Sequence, residues 1–191
     1  RPFNPHLWVR NRHFQSIYPS LPLQSRRMRR RAAPLLAAGA PLLLDCGDGV
    51  QLAAVYSAPA RPNGRLVVLL HGWEGSADSA YMLSLGQDLF NEQAEVVRLN
   101  LRDHGDTHHL NRGLFHSCLL PEVAGAVGEI VRRFPGRELW LVGFSLGGNF
   151  MLRVAALPES ALLGLAGTIA VSPVLDPART LDALEQESAV Y

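Results

Sequence analysis

The sequence contains no lysine: all 18 of its basic residues are arginine. Two chemistries fall with that absence, because a phosphate-cradling P-loop ends in Gly-Lys and Schiff-base or pyridoxal-phosphate catalysis needs a lysine amine. Cysteine is scarce as well. Cys46 and Cys118 are the only two and have no CxxC spacing, so neither a disulfide framework nor a thiolate zinc site is expected, and both thiols should be reduced. No apolar run approaches the ~20 residues that span a bilayer, and the N-terminus lacks a charged-then-apolar leader. The expectation is a cytoplasmic protein with no stable membrane insertion. Charge is also modest, at 18% charged residues and a net charge of +1, which argues against nucleic acid as a partner. What is abundant is apolar character: 48% of 191 residues, enough for one sizeable core.

Residues 1–40 form an N-terminal arm in this reading, rich in Arg and Pro, with Phe3, Trp8, Phe14 and Tyr18 but no sustained period. The basic run Arg26, Arg27, Arg29, Arg30 and Arg31 could touch an anionic surface, but no amphipathic partner accompanies it and a solvated loop is expected. From Pro41 the pattern becomes periodic. "PLLLDC", a Gly-Asp-Gly turn and "VQLAAVY" read as a β-hairpin. "RLVVLL" is a continuous apolar run, the mark of a strand buried on both faces of a parallel sheet. Three strand–helix alternations follow. A helix from Asp78 to Asn91 should bury Tyr81, Met82, Leu85, Leu89 and Phe90, and one near residues 117–134 should be capped by Ser117. The alternation predicts a doubly wound, mostly parallel α/β sheet with an N-terminal hairpin. Residues 41–176 are its core, and 177–191 start a cap or connecting helix.

Gly143-Phe144-Ser145-Leu146-Gly147 fits G-x-S-x-G, the nucleophile elbow, in which a tight strand-to-helix turn lifts a serine oxygen clear of a sheet. A chance match somewhere in such a chain is on the order of one in ten. The context adds weight, because the match sits where an independent reading ends a strand and starts a helix. "LLHGWEGS" likewise follows a buried strand, with His71 and Gly72 where an α/β-hydrolase fold builds the other half of its oxyanion hole. The expected oxyanion donors are the backbone amides of Trp73 and Leu146, with Ser145 as nucleophile and His71, Gly72, Gly143 and Gly147 shaping the backbone.

These blocks, "NRHFQSIYPSL", "HGWEGSADSAY", "LNLRDHGDTHHLNRGLFHS" and "LVGFSLGGNFMLR", together resemble the YheT-like branch of the α/β-hydrolases, in the same order along the chain. The resemblance implies a serine hydrolase of carboxylic esters with apolar or fatty acyl chains, a small-molecule ester substrate and no cofactor. A thioesterase or acyltransferase using the same serine, or a non-catalytic binding protein on the same fold, are the alternatives.

One further absence bears on that reading. In this fold the triad runs Ser, then Asp or Glu, then His, yet His6, His13, His71, His104, His108, His109 and His116 all precede Ser145. The triad acid and histidine are therefore expected beyond this chain, read as the N-terminal portion of a longer hydrolase, and the chain alone should be nearly inert. Asp176 is a candidate acid, against a helix-capping role, and capping is the expectation. The loop "RDHGDTHHLNRGLFHS" clusters histidines with Asp103 and Asp106, but a flexible loop is a poor metal scaffold and no metal is expected. If further strands are missing, the strand near Leu165 to Val171 becomes a sheet edge through which chains could self-associate.

Overall fold

Residues 6–11, 14, 15 and 22–186 are described by a computed structural model. Phe3, His13 and Tyr18, most of the "NRHFQSIYPSL" block and residues 187–191 lie outside the described residues, as does the side chain of Trp8. After a 3-10 turn at Leu7–Arg10, the elements are α1 (Pro22–Arg31), α2 (Ala33–Ala37), β1 (Gly39–Asp45), β2 (Gln51–Ser57), β3 (Arg65–Leu70) and α3 (Ala80–Asn91). They continue with β4 (Glu95–Leu99), α4 (Leu120–Arg133), β5 (Glu138–Phe144), α5 (Leu146–Ala155), β6 (Leu165–Val171) and α6 (Pro177–Gln186).

The strands form one sheet in the order β1-β2-β4-β3-β5-β6. β1 pairs antiparallel with β2, and β2 antiparallel with β4; the β4, β3, β5 and β6 pairings are parallel. The expected hairpin and mostly parallel sheet are both present. Leu66 to Leu70 are each at most 3% exposed, which is why β3 reads as an unbroken apolar run. Burying each such side chain contributes roughly 1.5–3 kcal/mol. One face of the sheet packs on α4 and α5 through Val123, Val127, Ile130, Phe150 and Val154. The other packs on α2 and α3 through Leu35, Met82 and Leu83. No helix among the described residues is long and apolar enough to cross a membrane.

Three local expectations are corrected. The arginine run is helical rather than a solvated loop: Arg29 pairs with Asp78 and Arg31 with Asp88 on or beside α3, partners far away in sequence. Ser117 does not cap α4, which starts at Leu120 with Pro121 in its first turn and no side-chain cap; Pro121 supplies the preset φ that a first helical turn accepts. In α3, Met82 is buried and Leu85, Leu89 and Phe90 pack partly buried on the same core as read, but Tyr81 is 39% exposed. Tyr81 instead lays its ring 4.7 Å from that of Phe144 and accepts the Gly72 N–H at 3.1 Å. At the far side β6 is an outer strand of the described sheet, with Ile169 and Val171 partly exposed.

Candidate active site

Ser145 follows the last residue of β5 and precedes the first of α5, with φ 50° and ψ −116°. A non-glycine residue with positive φ costs on the order of 1–3 kcal/mol and is held only where its surroundings over-determine it. Here they do. The Ser145 N–H donates to Val171 O (2.9 Å), and the Ser145 carbonyl accepts from Asn149 N (3.1 Å) and Val174 N (3.4 Å). The flanking glycines permit the close approach of helix and sheet. A Cβ on Gly143 would lie 2.3 Å from Gly147 O, and one on Gly147 would lie 2.3 Å from His71 O. Gly72 also passes close to the elbow, its would-be Cβ 3.2 Å from that of Ser145. As a result the serine side chain is exposed rather than packed inward.

The loop after β3 carries Trp73, and its position is fixed by polar groups from neighbouring elements. His71 is fully buried; its Nδ1 donates to Gly72 O (2.7 Å), and its Nε2 accepts the Leu101 N–H (3.1 Å). Burial, with the neighbouring His104 adding to it and the Gly72 bond opposing it, pulls its pKa down to about 4. His71 is thus a neutral ring that joins two backbone loops. Further along, Asn100 Oδ1 accepts Ala77 N–H (2.7 Å), and the buried Arg98 of β4 donates to Ala77 O and Asp78 Oδ1, both at 2.8 Å. Burial disfavours the Asp78 charge, but hydrogen bonds from Arg29 and Arg98 outweigh it and hold the carboxyl below the usual carboxylate range.

Neither Trp73 N–H nor Leu146 N–H donates to any group among the described residues. Both residues, together with Ser145, line a cleft of about 680 Å³. Phe115 and Val174 add apolar walls, and α6 closes one side with Pro177 and Leu181. The exposed serine and the two residues with uncommitted amides therefore line one cleft.

In the histidine-rich loop after β4, as elsewhere among the described residues, no three or more His, Cys, Asp or Glu side chains are grouped to hold a metal ion. His104 packs its ring on His71 (5.0 Å) and Phe115 (4.9 Å), and His108 points to Asp103 at 3.8 Å. The loop is anchored by the buried pair Arg102 and Glu122, and by Asp103 Oδ2 accepting Phe115 N–H at 2.8 Å. Asp176 caps α6, its Oδ1 accepting Arg179 N–H at 3.1 Å and its Oδ2 lying 3.3 Å from Arg179 Nε; it does not line the cleft. The cleft also holds His116, Asn149 and Arg153, which the sequence reading did not single out for the site. Asn149 and Arg153 follow Ser145 by four and eight residues, a spacing that keeps them near one helical face.

A family model described as alpha/beta hydrolase fold matches residues 65–188. No curated protein matches the sequence. Among solved structures, an esterase from Pyrococcus furiosus is similar with a TM-score of 0.68 at 17% identity, covering 84% of this chain and 60% of its own. A lidless α/β serine hydrolase from Xanthomonas campestris gives 0.59 at 21% identity, covering 78% and 79% respectively, and a serine hydrolase homologue from Coxiella burnetii gives 0.55 at 16%, covering 78% and 83%. The chain thus spans about 60% of the length of the Pyrococcus protein.

Proposed function

Since the chain belongs to the α/β-hydrolase fold family, we propose that it carries the nucleophile and oxyanion half of a serine hydrolase acting on carboxylic esters, of the YheT-like branch. The observation that carries this reading is the exposed Ser145, held at positive φ beside two amides with no other partner. In the proposed reaction the Ser145 oxygen attacks the ester carbonyl carbon, and the carbonyl oxygen takes up the negative charge between the Trp73 and Leu146 amides. Each such donor is typically worth about 3 kcal/mol of barrier. Collapse expels the alcohol and leaves an acyl-serine, which water then hydrolyses. The apolar walls from Phe115, Val174 and Leu181 support an apolar acyl group.

The proposal assigns the base and its acid partner to polypeptide following Tyr191. His71 is committed at both ring nitrogens and its basicity is lowered, and Ser145 Oγ has no hydrogen-bond partner among the described residues. The test is fluorophosphonate labelling and p-nitrophenyl ester hydrolysis by the protein extended to include that histidine. Ser145 should be the labelled residue, Ser145→Ala should lower turnover by about a millionfold, and residues 1–191 alone should turn over no faster than that variant. An extended protein that neither labels nor hydrolyses would instead identify a binding protein on a hydrolase fold.

A further inference from the structure

We propose that the cleft recognises an anionic group, a carboxylate or a phosphate, at its end remote from Ser145, with Arg153 as the counter-ion. The inference deepens the hydrolase reading by adding to the substrate an anion that Ser145 itself does not need. Arg153 stands eight residues beyond Ser145 on α5, roughly 12 Å along the helix at 1.5 Å per residue, and lines the same cleft. Its guanidinium is pre-positioned. It lies 5.5 Å above the ring of the fully buried Phe150, and Nη1 donates to Ser117 O (2.9 Å) and Asn149 Oδ1 (3.4 Å).

Both acceptors are neutral, so the positive charge is not compensated. Elsewhere the fold matches its embedded guanidinium groups with acids, Arg98 with Asp78 and Arg102 with Glu122. Arg153 has no carboxylate partner among the described residues, and no carboxylate among them lines the cleft. A guanidinium offers five N–H donors in a planar fork suited to carboxylate or phosphate. The bonds named above use only Nη1, leaving Nε and Nη2 for a ligand. The lining shared with Ser145 and Arg153 includes the apolar side chains of Leu146, Phe115, Val174 and Leu181 beside the neutral Asn149. The ligand this pattern fits has a reacting carbonyl, an apolar middle of several carbons and an anionic end.

Calorimetric titration of residues 1–191 with octanoate, octyl phosphate and octan-1-ol tests this without requiring turnover. At least one anion should bind about 10-fold or more tighter than the alcohol, and which one does so separates carboxylate from phosphate as the source. Arg153→Met should abolish the preference while leaving octan-1-ol affinity unchanged. Arg153→Gln keeps a donor for the Ser117 carbonyl and removes the charge, so it should behave alike even if the methionine variant folds poorly. Equal affinities for anion and alcohol in the wild type, or an undiminished preference in either variant, would overturn the proposal. The titration reads binding without turnover, so failure of Ser145 to label would refute hydrolysis without touching this assignment.

Discussion

The contact between α5 and the end of β3 sets up a test in which one chemical change has opposite signs at two glycines. Gly147→Ala would place a methyl carbon 2.3 Å from the His71 carbonyl oxygen and 2.6 Å from that of Leu70. Both are backbone atoms of the buried β3 terminus and cannot rotate away as a side chain would. The helix and strand must part by roughly 1 Å to reach ordinary contact, and overpacking of that kind costs about 1–3 kcal/mol. Alanine returns up to about 1 kcal/mol through its helix propensity, so a net loss of about 1 kcal/mol is expected. At 2–4 °C per kcal/mol for a chain of this size, Tm should fall by roughly 2–4 °C. Gly128 lies inside α4 with nothing within 4 Å of its would-be Cβ, so Gly128→Ala should gain about 0.5–1 kcal/mol and raise Tm by roughly 1–4 °C. Scanning calorimetry on the two variants decides. A Gly147→Ala protein as stable as wild type, or a Gly128→Ala protein that loses as much as Gly147→Ala, would refute the close-approach argument.

Stability should fall on mild acidification because of His71. Its folded pKa of about 4 lies below the usual 6.5, so between these values the unfolded chain binds the proton and the folded chain does not. The contribution is intact above 6.5 and shrinks as pH falls towards 4, costing about 2 kcal/mol by pH 5; urea unfolding with equal midpoints at pH 7 and pH 5 would exclude this. The two thiols should differ in reactivity: burial pushes Cys46 up to about 12, whereas Cys118 is exposed. Maleimide at pH 7.5 should modify Cys118 alone in the native protein, and mass spectrometry showing Cys46 modified first would contradict it. Glu122→Ala should strand the Arg102 guanidinium in the interior, where both side chains are now no more than 10% exposed. The expected cost is about 3 kcal/mol, with earlier proteolysis between Asp103 and Phe115; an unchanged unfolding midpoint and cleavage pattern would show the pair to be dispensable.

The elements legible in the sequence are those whose signal is local. β3 occupies the residues read for it, Arg65–Leu70, because a strand at the centre of a parallel sheet is apolar on both faces. The elbow was legible for a related reason at Gly143, whose would-be Cβ meets Gly147 only four residues along the chain, whereas Gly147 answers the distant carbonyls of Leu70 and His71. What escaped depends on partners remote in sequence. Arg29 and Arg31 become helical beside Asp78 and Asp88, 49 and 57 residues on, and five arginines within six residues give no hint of those acids. Ser117 looked like a cap because of its type and place, but its carbonyl serves Arg153, 36 residues later. The α5 face bearing Ser145, Asn149 and Arg153 could have been found from four-residue spacing alone. That this face looks into a cleft depends on where α6 and the β4 loop come to rest.

The polar residues buried near the elbow explain why the loops there are held so closely. Apolar burial is non-directional and does not by itself fix one amide relative to another, whereas hydrogen bonds in a low-dielectric interior do. His71 ties the β3 loop to Leu101, Asn100 and Arg98 tie it to β4, and Tyr81 ties it to α3. On the other side of the elbow, Val171 and Val174 receive the Ser145 and Asn149 donors. The Trp73 and Leu146 amides are thereby referred to one frame from two directions, although 73 and 146 are far apart in the chain. Burying an arginine in a sheet centre costs free energy, and Arg98 retains an unpartnered Nε even so. A core built for stability alone would place an apolar residue at position 98; the arginine is accounted for by the loop it holds.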